Sequence, residues 1–591
     1  MRRGEYPRPD FRRKDWQSLD GIWKFDFDDA NTGLEEKWYL NHEYKCNIKV
    51  PFVYQSKLSG IESEQYHEIV WYNRKFNVKL DEHKQLFLHF GAVDYQANIW
   101  INGQFVGSHN GGNTSFTIIV PNGILKLENT IVVRVYDPQE DETISRGKQN
   151  WTGMNDSVWY SNSTGIWQPV WMEQVSQSRI DKVRFYPDID RGMVSIQGEL
   201  TLPQNRKYTL TIQILKNGVE ISTVNLVVKD RNFKFDVDLF QNHIFRTMFH
   251  DSGWTWTPDN PVLFDCVLVL QDNKMETDKV DCYFGMREIR SENGKILLNN
   301  IPLFQKLVLN QGIWKDGLYT APTDSDFKTD ILSAKKMGFN GCRMHQKVED
   351  PRFLYWADKL GFLVWGECAS SQVFTEDVIK RKSEEWIEII NRDFNHPSII
   401  TWVPFNESWG VPQIHRDLQQ QNFTVALYYL IHSLDKTRLV DTTDGWEQTK
   451  TDICGIHNYS HGDQQDVDQY EKFKSTLLNK ENMLNISSNK WQVFAQGYFY
   501  HEQPMILTEC GGISFNLKYS KNSWGYSSVE TSELFIEEYK KIIMAIKSSE
   551  CLVGFCYTQL CDVQQETNGL LETNRHPKVN PDEIKMINDL L

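Results

Sequence analysis

Two glutamates stand where this chain could do acid–base and nucleophilic work. The run Ser398-Ile-Ile-Thr-Trp-Val-Pro-Phe-Asn-Glu-Ser-Trp-Gly410 opens apolar and β-branched, then delivers Asn406 and Glu407 among turn residues. Met505-Ile-Leu-Thr-Glu-Cys-Gly-Gly512 delivers Glu509 in the same way. Apolar runs of this kind read as strands buried on both faces, as parallel strands are. In a parallel α/β barrel, the C-terminal strand ends carry the reacting groups. Two carboxylates so placed suit cleavage of a glycosidic bond. One protonates the leaving oxygen, and the other attacks the anomeric carbon if configuration is retained. The plainer alternative for either residue is a solvated loop carboxylate.

The elements that must position these groups begin near residue 288, where the rhythm becomes strand then helix. Eight apolar segments follow, starting at Lys306, Asn340, Phe362, Ile399, Leu439, Ile453, Met505 and Leu552. A helix from Asp326 to Met337 is closed by Gly338. Another opens at Asp350-Pro351, runs to Leu360 and stops at Gly361. That count predicts a (β/α)8 TIM barrel over 288–591. The connection at about 460–503 is expected to be a long loop serving as lid or pocket wall.

Two β domains precede it. Residues 1–178 alternate at period two, as in Gly21-Ile-Trp-Lys-Phe-Asp-Phe, with a hairpin at Asn102-Gly103, and read as a jelly-roll sandwich. Residues 179–287 carry short strands and a second hairpin signal at Asn217-Gly218, and read as an immunoglobulin-like sandwich. The fold class is therefore multidomain, β followed by α/β.

A length of 591 residues exceeds one core. The net charge of −15 argues against a nucleic-acid partner, since phosphate binding needs a basic surface. No apolar stretch follows the basic start Met1-Arg-Arg, and no run reaches about 18 apolar residues. No membrane partner and a cytoplasmic location are the expectation. The ten cysteines form no C-x-x-C pair and read as reduced core thiols.

The residues then point to a family. Trp402-Val-Pro-Phe-Asn406-Glu407-Ser resembles the Asn-Glu signature of glycoside hydrolase family 2, and Thr508-Glu509-Cys-Gly-Gly resembles its nucleophile strand. Trp16-Gln-Ser-Leu-Asp-Gly-Ile-Trp, Val50-Pro51-Phe52, Gly165-Ile166-Trp167 and Tyr283-Phe-Gly-Met-Arg287 sit where that family places its opening strand and domain markers. The resemblance implies Glu407 as acid/base, protonated in the free enzyme, and Glu509 as nucleophile. It implies Asn406 on the sugar 2-hydroxyl, Arg343 as a cation facing Glu509, and Tyr459 as the tyrosine that contacts the nucleophile. His345 resembles the family's sugar-binding histidine, though spaced Arg-x-His, and a structural histidine is the alternative. Asp156 lies near where first-domain aspartates reach the barrel mouth, the alternative being an ordinary loop acid. Tyr557 stands on strand eight where many relatives have tryptophan. Trp365, Trp402, Trp409 and Trp446 are either sugar-stacking or core. Large β-galactosidases of that family place a carboxylate and a histidine shortly after strand three to hold magnesium; here no Glu-x-His follows Glu367, so the resemblance implies neither metal nor cofactor.

The resemblance favours a retaining exo-β-glycosidase of the β-galactosidase branch, acting on a carbohydrate substrate; a homo-oligomer is compatible with it. β-Glucuronidase, α-L-arabinosidase and a catalytically silent carbohydrate-binding protein are the rivals. Glucuronidases of this family supply an Asn-x-Lys pair shortly after strand eight. Here Glu566-Thr567-Asn568 occupies that place, ahead of Gly569 and the Arg575-His-Pro577-Lys578 turn. Asn516-Leu-Lys518 occurs earlier and reads as a surface coincidence.

Overall fold

The computed structural model describes residues 4–591 except 80, 82, 204–206, 240–252, 464–465, 486–490 and 516–522. The first domain packs a six-stranded antiparallel sheet, including Gly21–Phe27, Ile69–Asn77 and Glu128–Tyr136, against a four-stranded one including Lys84–Phe90 and Val170–Ser176. Alternate residues face inward, so Trp23, Phe25, Tyr72, Leu88 and Val133 share one core. Asn102 (φ +50°) and Gly103 (φ +80°) form the tight turn between Gln96–Ile101 and Gln104–Asn110. Asn217 (φ +52°) and Gly218 (φ +78°) do the same between Tyr208–Lys216 and Val219–Val228 of the second sandwich.

The second sandwich borrows from the chain's start. Phe11 and Arg12 pair with Cys282 and Asp281 at the edge of its five-stranded sheet. Arg13, buried, then reaches Asp278 at 2.9 Å and Glu173 at 3.2 Å, tying the two sandwiches together. No period-two pattern announces so short a strand.

The third domain is a curled sheet of eight parallel strands: Gln305–Asn310, Gly341–Met344, Leu363–Glu367, Ile399–Val403, Leu439–Val440, Cys454–His457, Met505–Gly511 and Leu552–Thr558. Neighbours run in chain order, with the first beside the eighth. At the seam between the fifth and sixth, the Val440 N–H donates to Asp452 Oδ2 at 2.9 Å, and the Asp452 N–H donates to the Val440 carbonyl at 2.9 Å. Period two sorts the side chains. Leu307, Leu309, Ile506 and Cys556 fill the interior, while Val308, Met505, Leu507, Phe555 and Tyr557 pack under the helices. The helix Pro351–Leu360 is capped as its residues suggest: Asp350 accepts from the Arg352 N–H at 2.9 Å, and Gly361 at φ +69° ends it. The 460–503 connection is more ordered than a loop. It contains the helices Val467–Leu477 and Lys480–Leu484, with Phe473, Leu477 and Met483 buried beneath.

The marker residues turn out to join domains. Arg287 donates to the carbonyls of Pro397, Thr437 and Ile399 at 2.6–3.0 Å, bracing the fourth barrel strand from the second sandwich. Thr320 donates to the Trp167 carbonyl at 2.6 Å, linking a barrel loop to the first domain.

Candidate active site

The Glu509 side of the site is built from the second, sixth and seventh strand ends. Glu509 is 4% exposed. Tyr459 donates its hydroxyl to Glu509 Oε2 at 2.5 Å, and Arg343 donates to Oε1 at 3.1 Å. The fully buried Arg343 also meets Asp444 Oδ2 at 2.6 Å, Glu367 Oε1 at 2.7 Å, the Thr508 carbonyl at 2.8 Å and Asn406 Oδ1 at 3.0 Å. The planar fork of arginine suits one cation to several acceptors. Burial pushes Glu367 upward, yet Arg343 and His345 outweigh it and hold the carboxyl below its usual range. The same balance, with Arg343 and His457 as the cations, holds Asp444 down. Asp441, buried against Asp444, is driven well above the carboxylate range by burial and by that neighbour's charge.

The Glu407 side is held by an unusual backbone. Glu407 (φ +53°) and Ser408 (φ +59°) are both left-handed, a conformation that costs energy in residues with a side chain. The Glu407 N–H donates to the Asp444 carbonyl at 2.8 Å, and the Trp409 N–H to that of Asn406 at 2.9 Å, which fix the turn. A carboxylate oxygen of Glu407 and one of Glu509 lie within 4.8 Å of each other, with His457 Nδ1 within the same distance of both.

His457 is the residue that sequence reasoning did not single out. Its Nδ1 is 2.9 Å from Glu407 Oε1 and 3.5 Å from Glu509 Oε2, and its Nε2 is 3.0 Å from Asp444 Oδ2. Burial disfavours the imidazolium, but Glu509, Asp444 and Glu407 together raise its pKa to about 10. Glu407 answers in the opposite sense. Burial pushes it up, but His457, Lys148 and His345 bring it below the ordinary glutamate value. The resemblance puts a proton on Glu407 in the free enzyme; in the structure His457, its own pKa raised, lies 2.9 Å away as a second group able to hold that proton. The available signal was period two, which sets His457 on the inner face with Tyr459, just past the sixth strand.

The other expected residues divide. Asn406 offers its oxygen to Arg343, and its buried Nδ2 has no hydrogen-bond partner among the described residues. His345 is 2% exposed, with Nδ1 3.1 Å from Glu367 Oε2. Tyr557 points outward against Tyr539, and its hydroxyl accepts from the Ile513 N–H at 3.3 Å; the adjacent Thr558 is the residue that faces Tyr459, at 2.9 Å. Asp156 is exposed. From its loop, Trp159 and Tyr160 reach the barrel instead: Trp159 stacks on Trp409, and Tyr160 donates its hydroxyl to Glu566. Lys148, almost buried, holds its ammonium 4.7 Å from the Trp409 ring centroid. Tyr526 stacks on Tyr459 with centroids 3.5 Å apart. Trp446 lies parallel to Trp491 and edge-on to His457, and its buried Nε1 has no hydrogen-bond partner among the described residues. Trp365 and Trp402 are core, donating to Gln305 and Asp435. Asn516 and Lys518 lie outside the described residues.

Glu407, His457 and Glu509 also form a set of possible metal ligands by distance. Arg343, 3.1 Å from Glu509 Oε1, already brings a positive charge to this set.

Residues 289–588 match the TIM barrel domain of the glycosyl hydrolases family 2, residues 16–174 its sugar binding domain, and residues 178–287 a further model of that family. The chain belongs to glycosyl hydrolase family 2. Among curated relatives, a β-galactosidase of Thermoanaerobacter pseudethanolicus is 26% identical over 72% of this chain and 54% of its own length. A β-glucuronidase of Streptococcus agalactiae is 23% identical over 96% of this chain and 95% of its own. The chain spans about half the length of the first of these. Among solved structures, a β-glucuronidase from Ruminococcus gnavus superposes with TM-score 0.79 at 19% identity, covering 100% of this chain and 99% of that one. A β-galacturonidase from Eisenbergiella tayi bound to galacturonate gives 0.75 at 19% identity, with coverage of 100% and 99%. At such identity the likeness establishes the family 2 fold. No helix among the described residues is long and apolar enough to cross a membrane.

Proposed function

We propose that this family 2 chain is a retaining exo-β-glycosidase, of β-galactosidase type, that releases one terminal non-reducing sugar. The observation that carries this reading is the approach of Glu407 and Glu509 within 4.8 Å. Retaining enzymes hold their carboxyls about 5–5.5 Å apart, whereas inverting ones leave about 6.5–9.5 Å for a water. Glu509 attacks the anomeric carbon as the glycosidic bond breaks and the leaving oxygen takes a proton from Glu407. Water, deprotonated by Glu407, then displaces Glu509. The free Nδ2 of Asn406 is suited to the sugar 2-hydroxyl, a contact that strengthens as positive charge develops on the ring. Trp159 on Trp409 and Tyr160 on Glu566 bring a first-domain loop beside the Glu407 turn, which supports action on chain ends. Ten free thiols fit a reducing, cytoplasmic setting.

The choice of a neutral sugar rests on Glu566. It is 3% exposed, accepts from Tyr160 and from Asn568 Nδ2 at 3.0 Å, and acts electrostatically on Tyr526. Burial raises the Glu566 pKa, and in either form the group offers a uronic acid no cation. The second reading, a uronidase, is favoured by Lys148, whose ammonium has no hydrogen bond or ion pair among the described residues and lies close enough to influence Glu407 and Glu566. A panel of nitrophenyl glycosides decides. β-D-Galactoside is expected to exceed β-D-glucuronide, β-D-galacturonide and α-L-arabinoside in kcat/KM. One missing ion pair is worth about 2–5 kcal/mol, roughly thirty-fold to several thousand-fold against a uronide. A uronide as the better substrate overturns the neutral-sugar reading and makes Lys148 and Lys518 the residues to mutate. No turnover across the panel would favour a silent carbohydrate-binding protein.

A further inference from the structure

We propose that Asp444, His457 and Glu407 form a proton relay, in which His457 is the positioning residue that stores the proton Glu407 delivers. The inference rests on the glycosidase reading and deepens it. Both ring nitrogens of His457 face carboxylates, Nε2 at 3.0 Å from Asp444 and Nδ1 at 2.9 Å from Glu407. A neutral imidazole offers only one donor, so the pair of contacts holds one shared proton. It sits on His457 with Glu407 ionised, or on Glu407 with His457 neutral and its Nε2–H still on Asp444. Arg343 is also 3.3 Å from Nε2, but that guanidinium is 2.6 Å from the same Asp444 oxygen, and both donors converge on it.

The other groups around the ring fit this assignment. Glu509 from the seventh strand is 3.5 Å from Nδ1, and Tyr459, two residues on, binds Glu509. Asp441 backs Asp444, Trp446 covers the ring edge, and Lys148 and His345 act on Glu407 from the first domain and the second strand. The position beside Glu509 gives the relay its timing. In the free enzyme the Glu509 charge favours the histidinium. As Glu509 bonds to the sugar, that charge is consumed and the histidinium loses its support. The proton then moves from Nδ1 to Glu407 and from Glu407 to the leaving oxygen, while the glycosidic bond breaks. In the second half water bonds to the anomeric carbon, Glu509 leaves with its electron pair, and the water proton returns through Glu407 to His457. Charge and protons balance over the cycle.

The test is the pH dependence of kcat/KM with an alkyl glycoside and with a dinitrophenyl glycoside of the preferred sugar. In the wild type the alkaline limb is expected above the pH of about 6–7 reached by lone buried glutamates. His457→Gln and His457→Asn keep a hydrogen-bonding group but cannot carry the proton. Each is expected to lose about 10²-fold on the alkyl glycoside, far less on the dinitrophenyl glycoside, and to move the alkaline limb down by about one pH unit or more. Thermal melting reports whether the variants fold. A wild-type limb at or below about 7 overturns the relay even if neither variant folds. So does a folded variant with an unmoved limb, or with equal losses on both substrates. A wild type inactive on every glycoside would instead sink the glycosidase reading on which the relay stands.

Discussion

Trp159 of the first sandwich stacks on Trp409 of the barrel, with ring centroids 4.9 Å apart and planes 24° from parallel. Trp409 is two residues past Glu407, so a loop some 250 residues away in sequence packs beside the Glu407 turn. Lys148 holds its ammonium over the same Trp409 ring, so three residues from two domains meet there. An aromatic pair of this geometry is worth about 0.5–1.5 kcal/mol beyond its burial. Trp159→Ala is expected to raise KM by about 2- to 13-fold, with a smaller change in kcat. Steady-state kinetics on a nitrophenyl glycoside measure this, and an unchanged KM would show that the stack does not shape the sugar site.

Glu509→Ala should abolish turnover, by on the order of 10⁴-fold or more. The fold should survive, because Arg343 keeps Asp444 and Glu367 as partners. A 2-fluoro sugar that traps the intermediate should add to Glu509 in the intact protein, read by peptide mass spectrometry. Labelling at any other carboxylate contradicts the assignment.

Glu407→Ala should separate substrates by leaving group. General acid help is worth about 10²–10⁴-fold where the leaving oxygen needs a proton, and little where it does not. Alkyl glycosides should therefore suffer far more than dinitrophenyl glycosides. Added azide should restore part of the rate by taking the place of the activated water. Equal losses on both substrates would remove Glu407 from the acid/base role.

Stability should depend on the joint at Arg13. Burial pushes Glu173 up, but His89, Arg13 and the Tyr6 hydroxyl outweigh it and bring its pKa to about 2. A carboxyl depressed in the folded state gives stability that is present above its unfolded value of about 4.3 and lost as pH falls through the folded one. The wild type should lose up to about 3 kcal/mol from this group between roughly pH 5 and 2, and Glu173→Gln should flatten that part of the curve. Arg13→Ala should cost about 3–5 kcal/mol at neutral pH, because it leaves Asp278 and Glu173 buried without their cation. Denaturant unfolding at a series of pH values measures both, and a parallel acid limb in Glu173→Gln would refute the linkage.

What the chain's sequence determined by itself was local. Asn-Gly at 102–103 and 217–218 adopts positive φ at both residues, so the hairpins form wherever the flanking strands go. Asp350-Pro351 and Gly361 set a helix's two ends through contacts within a few residues. The barrel strands were legible because a strand buried on both faces must be apolar throughout, and Glu407 and Glu509 stood out where such runs turn polar. Tertiary structure decided everything that depends on which face or which domain meets another. Period two turned Tyr557 toward the helices and Thr558 toward Tyr459, a choice that hangs on one residue of strand register. Docking of the first sandwich brought Trp159, Tyr160 and Lys148, rather than Asp156, to the barrel. The protonation of the site was the least legible of all. The pKa of His457 rises only because folding gathers Asp444, Glu407 and Glu509 around its buried ring, and charges in a low-dielectric interior act over distances that no spacing of residues along a chain records.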